Sequence, residues 1–166
     1  MIENIFPLRG KRIVLVGGAG FIGHNLALKL KAQGADVHVI DGLNVNNLLY
    51  LNQTTLEIQN RDWYISLINE RLSLLRENNI PLYIEDARDY HKLSKLFSKI
   101  QPQTVVLLAA VSHANRSNKD PYTTFDHSFR TLENALDASK NRVEHFIYFS
   151  SSMVYGNFSK GEVSED

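Results

Sequence analysis

Residues 12–23 read RIVLVGGAGFIG. An aliphatic run over Ile13–Val16 passes into glycines at Gly17, Gly20 and Gly23, with Gly18 as an extra, and then into apolar residues at helical spacing: Phe21, Ile22, Leu26, Leu28 and Leu30. Continuous rather than alternating hydrophobicity marks a strand covered on both faces, so Ile13–Val16 reads as a buried parallel strand. A strand that enters a helix through spaced glycines is a phosphate-binding turn: small residues let an anion approach the amides at the helix N-terminus. The helix is expected over 21–33, stopping at Gly34. Val37–Ile40 is the second strand and completes a βαβ unit. Asp41 closes it 18 residues after Gly23, where such a unit carries the carboxylate that accepts from adenosine ribose hydroxyls.

The same alternation continues downstream. Asn44–Asn60 is rich in Asn, Gln and Thr and reads as loop, and Asp62–Glu77 returns to helical periodicity through Ile65, Ile68, Leu72 and Leu75. Pro81–Ile84 is a third strand, followed by Asp86, Arg88 and Asp89, and Leu93–Ile100 is a short helix. Val105–Ala110 is a fourth strand, Ser112–Asp120 a polar loop, and Pro121 can open a helix running to about Lys140. Phe146–Phe149 is a fifth strand, ending in Ser150, Ser151 and Ser152. Five strands alternating with helices predict an α/β fold: a doubly wound parallel sheet of order 3-2-1-4-5 in a three-layer α/β/α sandwich, the Rossmann fold. Ligands of such sheets sit at the carboxyl ends of the strands, here between the first and fourth. Each polar residue singled out follows a strand end.

Composition limits the function classes. The chain has 166 residues, one domain's worth, and a domain of that size buries roughly 70% of its unfolded surface. Eighteen basic and eighteen acidic residues cancel, so no electrostatic footprint points to nucleic acid or an anionic membrane. With no cysteine, disulfides, thiol catalysis and cysteine metal sites are excluded. No apolar run approaches the ~20 residues of a membrane span, and 1–11 lacks a signal peptide's apolar centre; the cytoplasm is the expected location. Six histidines (His24, His38, His91, His113, His127, His145) show no metal-ligand spacing, so no metal is expected.

In their order and spacing, GGAGFIG at 17–23, Asp41, Asp86-Ala87-Arg88-Asp89, LLAA at 107–110 and FSSSMVYG at 149–156 resemble the extended short-chain dehydrogenase/reductases, the NAD-dependent sugar-nucleotide epimerase/dehydratase family. The resemblance covers essentially the whole chain. It implies NAD as cofactor and a nucleotide sugar as substrate. It also implies that Gly17, Gly20 and Gly23 make room for the pyrophosphate, with N–H groups from Phe21 and Ile22. Asp41 would hold the adenosine ribose and repel a 2′-phosphate, favouring NAD over NADP. Asp86 would take the adenine amino group with Ala87 beside it, and Ala109 and Ala110 would let the backbone approach the middle of the cofactor. Ser150 would touch the nicotinamide side. Ser151, four residues before Tyr155, matches the Ser or Thr that hydrogen-bonds the reacting sugar hydroxyl.

Departures from the family pattern narrow the expectation. The family's Tyr-x-x-x-Lys pair, in which the Lys lowers the pKa of the Tyr that takes the hydroxyl proton, occurs nowhere in the 166 residues. Val163-Ser164-Glu165-Asp166 resembles the lead-in to it. The chain is therefore expected to be the NAD-binding N-terminal part of a longer enzyme, inactive by itself and a homodimer when full length. Dehydratases and decarboxylases of the family usually keep a carboxylate in the triad before VYG, where this chain has Ser151, Ser152 and Met153; a thioether is neither acid nor base, which favours 4-epimerisation over dehydration. Ser128 and Thr131 replace the usual Asn and Gly, and His127 is a possible substitute. DWYISLINERLSLL at 62–75 resembles the corresponding helix of hexuronate 4-epimerases and leans the substrate toward a UDP-hexose or UDP-hexuronate.

The remaining residues read as structural. Trp63 and Tyr64 are expected to pack, and Arg61, Arg71 and Arg76 to form the solvated face of their helix, paired with Glu70 and Glu77. Other functions stay open: a non-catalytic dinucleotide-binding or redox-sensing module, and a dehydratase or a carbonyl reductase of the same family, the last of which NADPH-dependent turnover would reveal.

Overall fold

The strands pair side by side in the order β3-β2-β1-β4-β5, and every pairing is parallel. The computed structural model describes residues 8–53, 57–110, 119–156, 161 and 164. Within them run β1 (Arg12–Val16), α1 (Phe21–Ala32), β2 (Asp36–Ile40), α2 (Leu48–Gln53), α3 (Arg61–Glu77), β3 (Leu82–Tyr83), α4 (Tyr90–Ile100), β4 (Thr104–Leu107), α5 (Pro121–Phe125), a π-helical turn (Asp126–Arg130), α6 (Thr131–Ser139), β5 (His145–Tyr148) and a 3₁₀ turn (Ser152–Tyr155). The expected strand order is the observed one.

Both faces of the sheet are covered, which explains the unbroken apolar runs. Alternate residues of β1 point to opposite sides. Val14 and Val16 join Ile40, Leu93, Phe97, Ile100, Val105, Leu107, Ala135 and Ala138 under α4 and α6. Ile13 and Leu15 join Ala27, Val37, Val39, Leu75, Ile80 and Val106 under α1 and α3. Fully burying one such aliphatic side chain stabilises by roughly 1.5–3 kcal/mol. Period-two alternation within a wholly apolar strand thus produces the three layers.

Several boundaries differ from those expected, for local reasons. α4 starts at Tyr90, because the Asp89 side chain caps it by accepting from the Lys92 amide at 3.1 Å. β4 ends at Leu107: the amides of Leu108 and Ala109 both donate to the Val16 carbonyl, at 2.8 and 3.1 Å, and turn the chain out of the ladder. The expected 121–140 helix does open at Pro121, capped by Asp120, but it carries a π-helical turn at its centre. The 44–60 stretch, read as loop, contains α2, where the Asn47 side chain accepts from the Tyr50 amide at 2.8 Å. Trp63 and Tyr64 do not enter the core. They are 61% and 48% exposed and stack edge-on against each other at 5.6 Å. His113, most of the 112–120 loop and the 163–166 segment apart from Ser164 lie outside the described residues.

Candidate functional site

Parallel register places all five strand ends on one edge. Val16 stands beside Ile40 and Leu107, Ile40 beside Tyr83, and Leu107 beside Tyr148. The segments that follow them, Gly17–Gly23, Asp41–Leu43, Ile84–Asp89, Leu108–Ala110 and Phe149–Ser151, therefore gather along that edge. Every residue expected from the sequence to contact the cofactor or the sugar lies in one of them, except the possible substitute His127 in the turn Asp126–Arg130.

The glycines of the first segment answer to two different demands. A Cβ at Gly17 would lie 2.6 Å from the Ala109 amide nitrogen, and the residue's φ of +80° is one that L side chains rarely adopt. A Cβ at Gly23 would lie 2.5 Å from the Gly18 Cα, and one at Gly18 would lie 2.8 Å from the Leu15 Cβ. Gly18 is thus no spare: it is the surface against which α1 docks. Gly20 is different. It is the N-cap of α1 in extended conformation (φ −70°, ψ 178°), and a Cβ there would meet only the Gly17 carbonyl, at an ordinary 3.6 Å. The protein leaves that space open. No side chain caps the helix and its first turn has no acidic residue, so the positive end of α1 faces outward with uncompensated amides. Phe21 and Ile22 in that turn are 70% and 56% exposed. A diphosphate fits such a cradle on charge and on space.

Asp41 is tied into the same turn. Its carboxylate accepts from the Ala19 amide at 2.9 Å through Oδ2 and from the Leu43 amide at 2.8 Å through Oδ1. Burial pushes its pKa up, and the two amides pull against that shift. Each oxygen keeps lone-pair capacity for a ribose hydroxyl. Sequence reasoning missed the neighbour that completes this corner. Asn46, 4% exposed, donates from Nδ2 to the Ala19 carbonyl at 3.0 Å. Its only signal was an Asn shortly after Asp41 in a polar stretch.

The turn after β3 is clamped by charge. Arg88 grips Asp86 through Nη2 at 2.6 Å and Nε at 3.1 Å to both oxygens, and reaches Asp126 of the π-helical turn through Nη1 at 2.8 Å. Asn134, buried on α6, donates to the carbonyls of Ala87 and Arg88 at 3.0 and 2.8 Å. The Arg88 hydrogen bond holds the Asp86 pKa below the ordinary carboxylate value, and Arg130 followed by Arg88 does the same for Asp126. Asp86 stays ionised with part of its surface open, and the Ala87 side chain is buried.

The fourth and fifth segments are less enclosed. Ala109 is half-buried against Gly17, and Ala110 is exposed. Ser150, Ser151 and Ser152 are exposed beyond β5, where the Phe149 amide still bonds the Leu107 carbonyl at 3.1 Å and the Ser151 carbonyl accepts from the Val154 amide at 3.2 Å. His127 and Ser128 fall inside the π-helical turn, whereas Thr131 is buried at the start of α6. Among the described residues no group of three or more His, Asp and Glu side chains could hold a metal ion, and no helix is long and apolar enough to cross a membrane.

Residues 13–166 match the model of the NAD dependent epimerase/dehydratase family. The chain belongs to that family. It is 35% identical over 152 residues to Protein CapI of Staphylococcus aureus, a match that covers 90% of this chain and 40% of that one. It is 29% identical over 150 residues to a dTDP-D-glucose 4,6-dehydratase of Dictyostelium discoideum, covering 89% of this chain and 30% of the relative. Among solved structures it is similar to the UDP-glucose 4-epimerase of Thermus thermophilus in complex with NAD: TM-score 0.67 and 27% identity, over 93% of this chain and 42% of that one. The chain thus spans 30–40% of the length of these two sequence relatives. The family is NAD-dependent, and the resemblance read from the sequence motifs named the same family.

Proposed function

We propose that this chain is the NAD-binding part of a sugar-nucleotide 4-epimerase that acts by transient oxidation at C4 of a nucleotide-linked hexose or hexuronate. The observation that carries the cofactor half is Gly20: the one glycine of the turn whose missing side chain the protein's own packing does not require, at the uncapped N-terminus of α1. The amides of Phe21 and Ile22 bind the diphosphate, and Gly17 lets the β4 end close on the turn. Asp41 accepts from the adenosine ribose and disfavours a 2′-phosphate by repulsion, while Asp86 accepts from the adenine amino group. Ala109, Ala110 and Ser150 border the middle and the nicotinamide side. When bound, NAD supplies a reversible hydride acceptor.

Ser151 orients the sugar hydroxyl by hydrogen bonding. The proton acceptor is expected from the Tyr-x-x-x-Lys pair that the 166 residues do not contain, so 1–166 alone is expected not to turn over. Met153, at the position where the family's dehydratases keep a carboxylate, favours epimerisation over loss of water. The exposed Tyr122, Phe125 and Phe129 of α5 and the π-helical turn, with Phe125 and Phe129 stacked at 4.8 Å, suit a face covered by a second copy in the whole protein. The test is incubation of the full-length protein with UDP-hexoses and UDP-hexuronates and NMR analysis of the products. Interconversion of C4 epimers is the expected result, and a 4-keto-6-deoxy product would overturn the epimerase reading.

A further inference from the structure

The arginines around the carboxyl edge are of two kinds. Arg88 is shared between Asp86 and Asp126, and Arg130 pairs with Asp126. Arg71 is half-buried on α3, and among the described residues it takes part in no ion pair. A ring and an amide hold it instead. Its guanidinium carbon lies 5.7 Å from the centroid of the Phe21 ring, and Nη1 donates to the Asn46 side-chain oxygen at 3.5 Å. Asn46 in turn holds the Ala19 carbonyl, and the Ala19 amide holds Asp41. The cation is thereby fixed beside the first turn of α1, next to the open cradle at Gly20. This departs from the solvated, Glu-paired role that helical periodicity assigned to it.

A half-buried guanidinium that has no counter-ion among the described residues is stabilised when an anion arrives. Among the described residues one of its five N–H donors goes to Asn46 and no other hydrogen bond engages the fork, and phosphate is the anion that such a planar fork matches in shape. We infer that Arg71, carried by the helix between β2 and β3, is a further cofactor-binding residue that contacts a phosphate of the bound dinucleotide, with Phe21 and Asn46 holding it in place. The inference rests on the dinucleotide reading of the Gly17–Gly23 turn. Two phosphates could be its ligand: the diphosphate common to NAD and NADP, or the 2′-phosphate of NADP alone.

The test is titration of wild type, Arg71→Gln and Arg71→Lys with NAD, NADP and adenosine, followed by calorimetry for the dinucleotides and by NMR line broadening for adenosine. Arg71→Gln is expected to bind NAD about tenfold more weakly, as loss of one charged hydrogen bond predicts. Its adenosine affinity should be unchanged, and Arg71→Lys should recover part of the NAD affinity. Equal losses for NAD and NADP assign the contact to the diphosphate, whereas a larger loss for NADP assigns it to the 2′-phosphate. Unchanged dinucleotide affinity in Arg71→Gln would overturn the inference. So would equal loss for NAD and adenosine, because that is the signature of a residue that only supports the loop. Wild-type protein that binds neither dinucleotide would overturn the cofactor reading itself, an outcome distinct from both.

Discussion

The turn after β1 and the segment after β5 lie on the same edge of the sheet, yet they are built in opposite ways. In the first, Gly17, Gly18 and Gly23 each face another atom within 2.5–2.8 Å of where a side chain would begin, so close packing fixes the backbone together with the bonds that Asp41 and Asn46 make to Ala19. In the second, Ser150, Ser151 and Ser152 are exposed, and the backbone is held by single bonds such as that from the Phe149 amide to the Leu107 carbonyl. The cradle proposed for the cofactor thus rests on close packing between β1, α1 and β4. The serine segment instead lies exposed beyond the end of β5.

The sharpest way to break this comparison is to put a methyl group where the cradle is closed. Gly23→Ala should destabilise by about 2–4 kcal/mol, as overpacking against backbone does, and so lower the unfolding midpoint by roughly 5–15 °C in a chain of this size. Scanning calorimetry checks this; an unchanged midpoint would mean that α1 does not dock on Gly18 as described. Gly20→Ala is the contrasting variant. Its midpoint should move by less than about 1 kcal/mol equivalent, while NAD affinity, measured by calorimetry, falls tenfold or more because the methyl group occupies the diphosphate's place. A Gly20→Ala protein with wild-type affinity would show that the open space is not the anion site.

The charge clamp after β3 adds a pH test. The pKa values of Asp86 and Asp126 are lowered from 3.8, so their contribution to stability is present above that value and is lost as pH falls through the lowered pKa values. Asp41 runs the other way: its pKa is raised, so its contribution is present below 3.8 and is lost as pH rises through the raised value. Arg88→Gln removes the clamp's cation. Wild type should therefore melt above this variant at pH 7, with the gap closing as the pH drops below 3.8, as followed by circular dichroism. A gap independent of pH would assign Arg88 to packing instead. The smallest effect belongs to the serine segment. Ser151→Ala should change neither the midpoint nor NAD affinity by more than about 0.5 kcal/mol, since the residue is exposed and lies outside the glycine turn.

The same contrast explains what could be read from the sequence. The sheet order, α1 and the glycine turn follow from local rules, namely aliphatic runs, helical spacing and spaced glycines, and these survive folding because tertiary packing agrees with them. Arg71 defeated such reading, because helical periodicity says which side of α3 faces outward but not that Phe21 and Asn46 wait on that side. Asn46 was illegible for a related reason: a buried amide that holds the Ala19 carbonyl looks, in sequence, like any Asn in a polar loop. The π-helical turn leaves no signature in spacing, since one altered turn does not disturb the apolar pattern on either side. Trp63 and Tyr64 mislead in the opposite sense, because large aromatic residues suggest a core while these two stay largely exposed with their rings against each other.

Thermal unfolding with NAD and NADP tests the cofactor cradle most directly. A ligand that binds only the folded protein raises the midpoint as its concentration exceeds Kd. NAD is expected to raise it progressively, and NADP less at equal concentration because of the Asp41 carboxylate. A midpoint that neither dinucleotide moves at millimolar concentration would contradict the assignment of the Gly17–Gly23 turn and Asp41 to a dinucleotide.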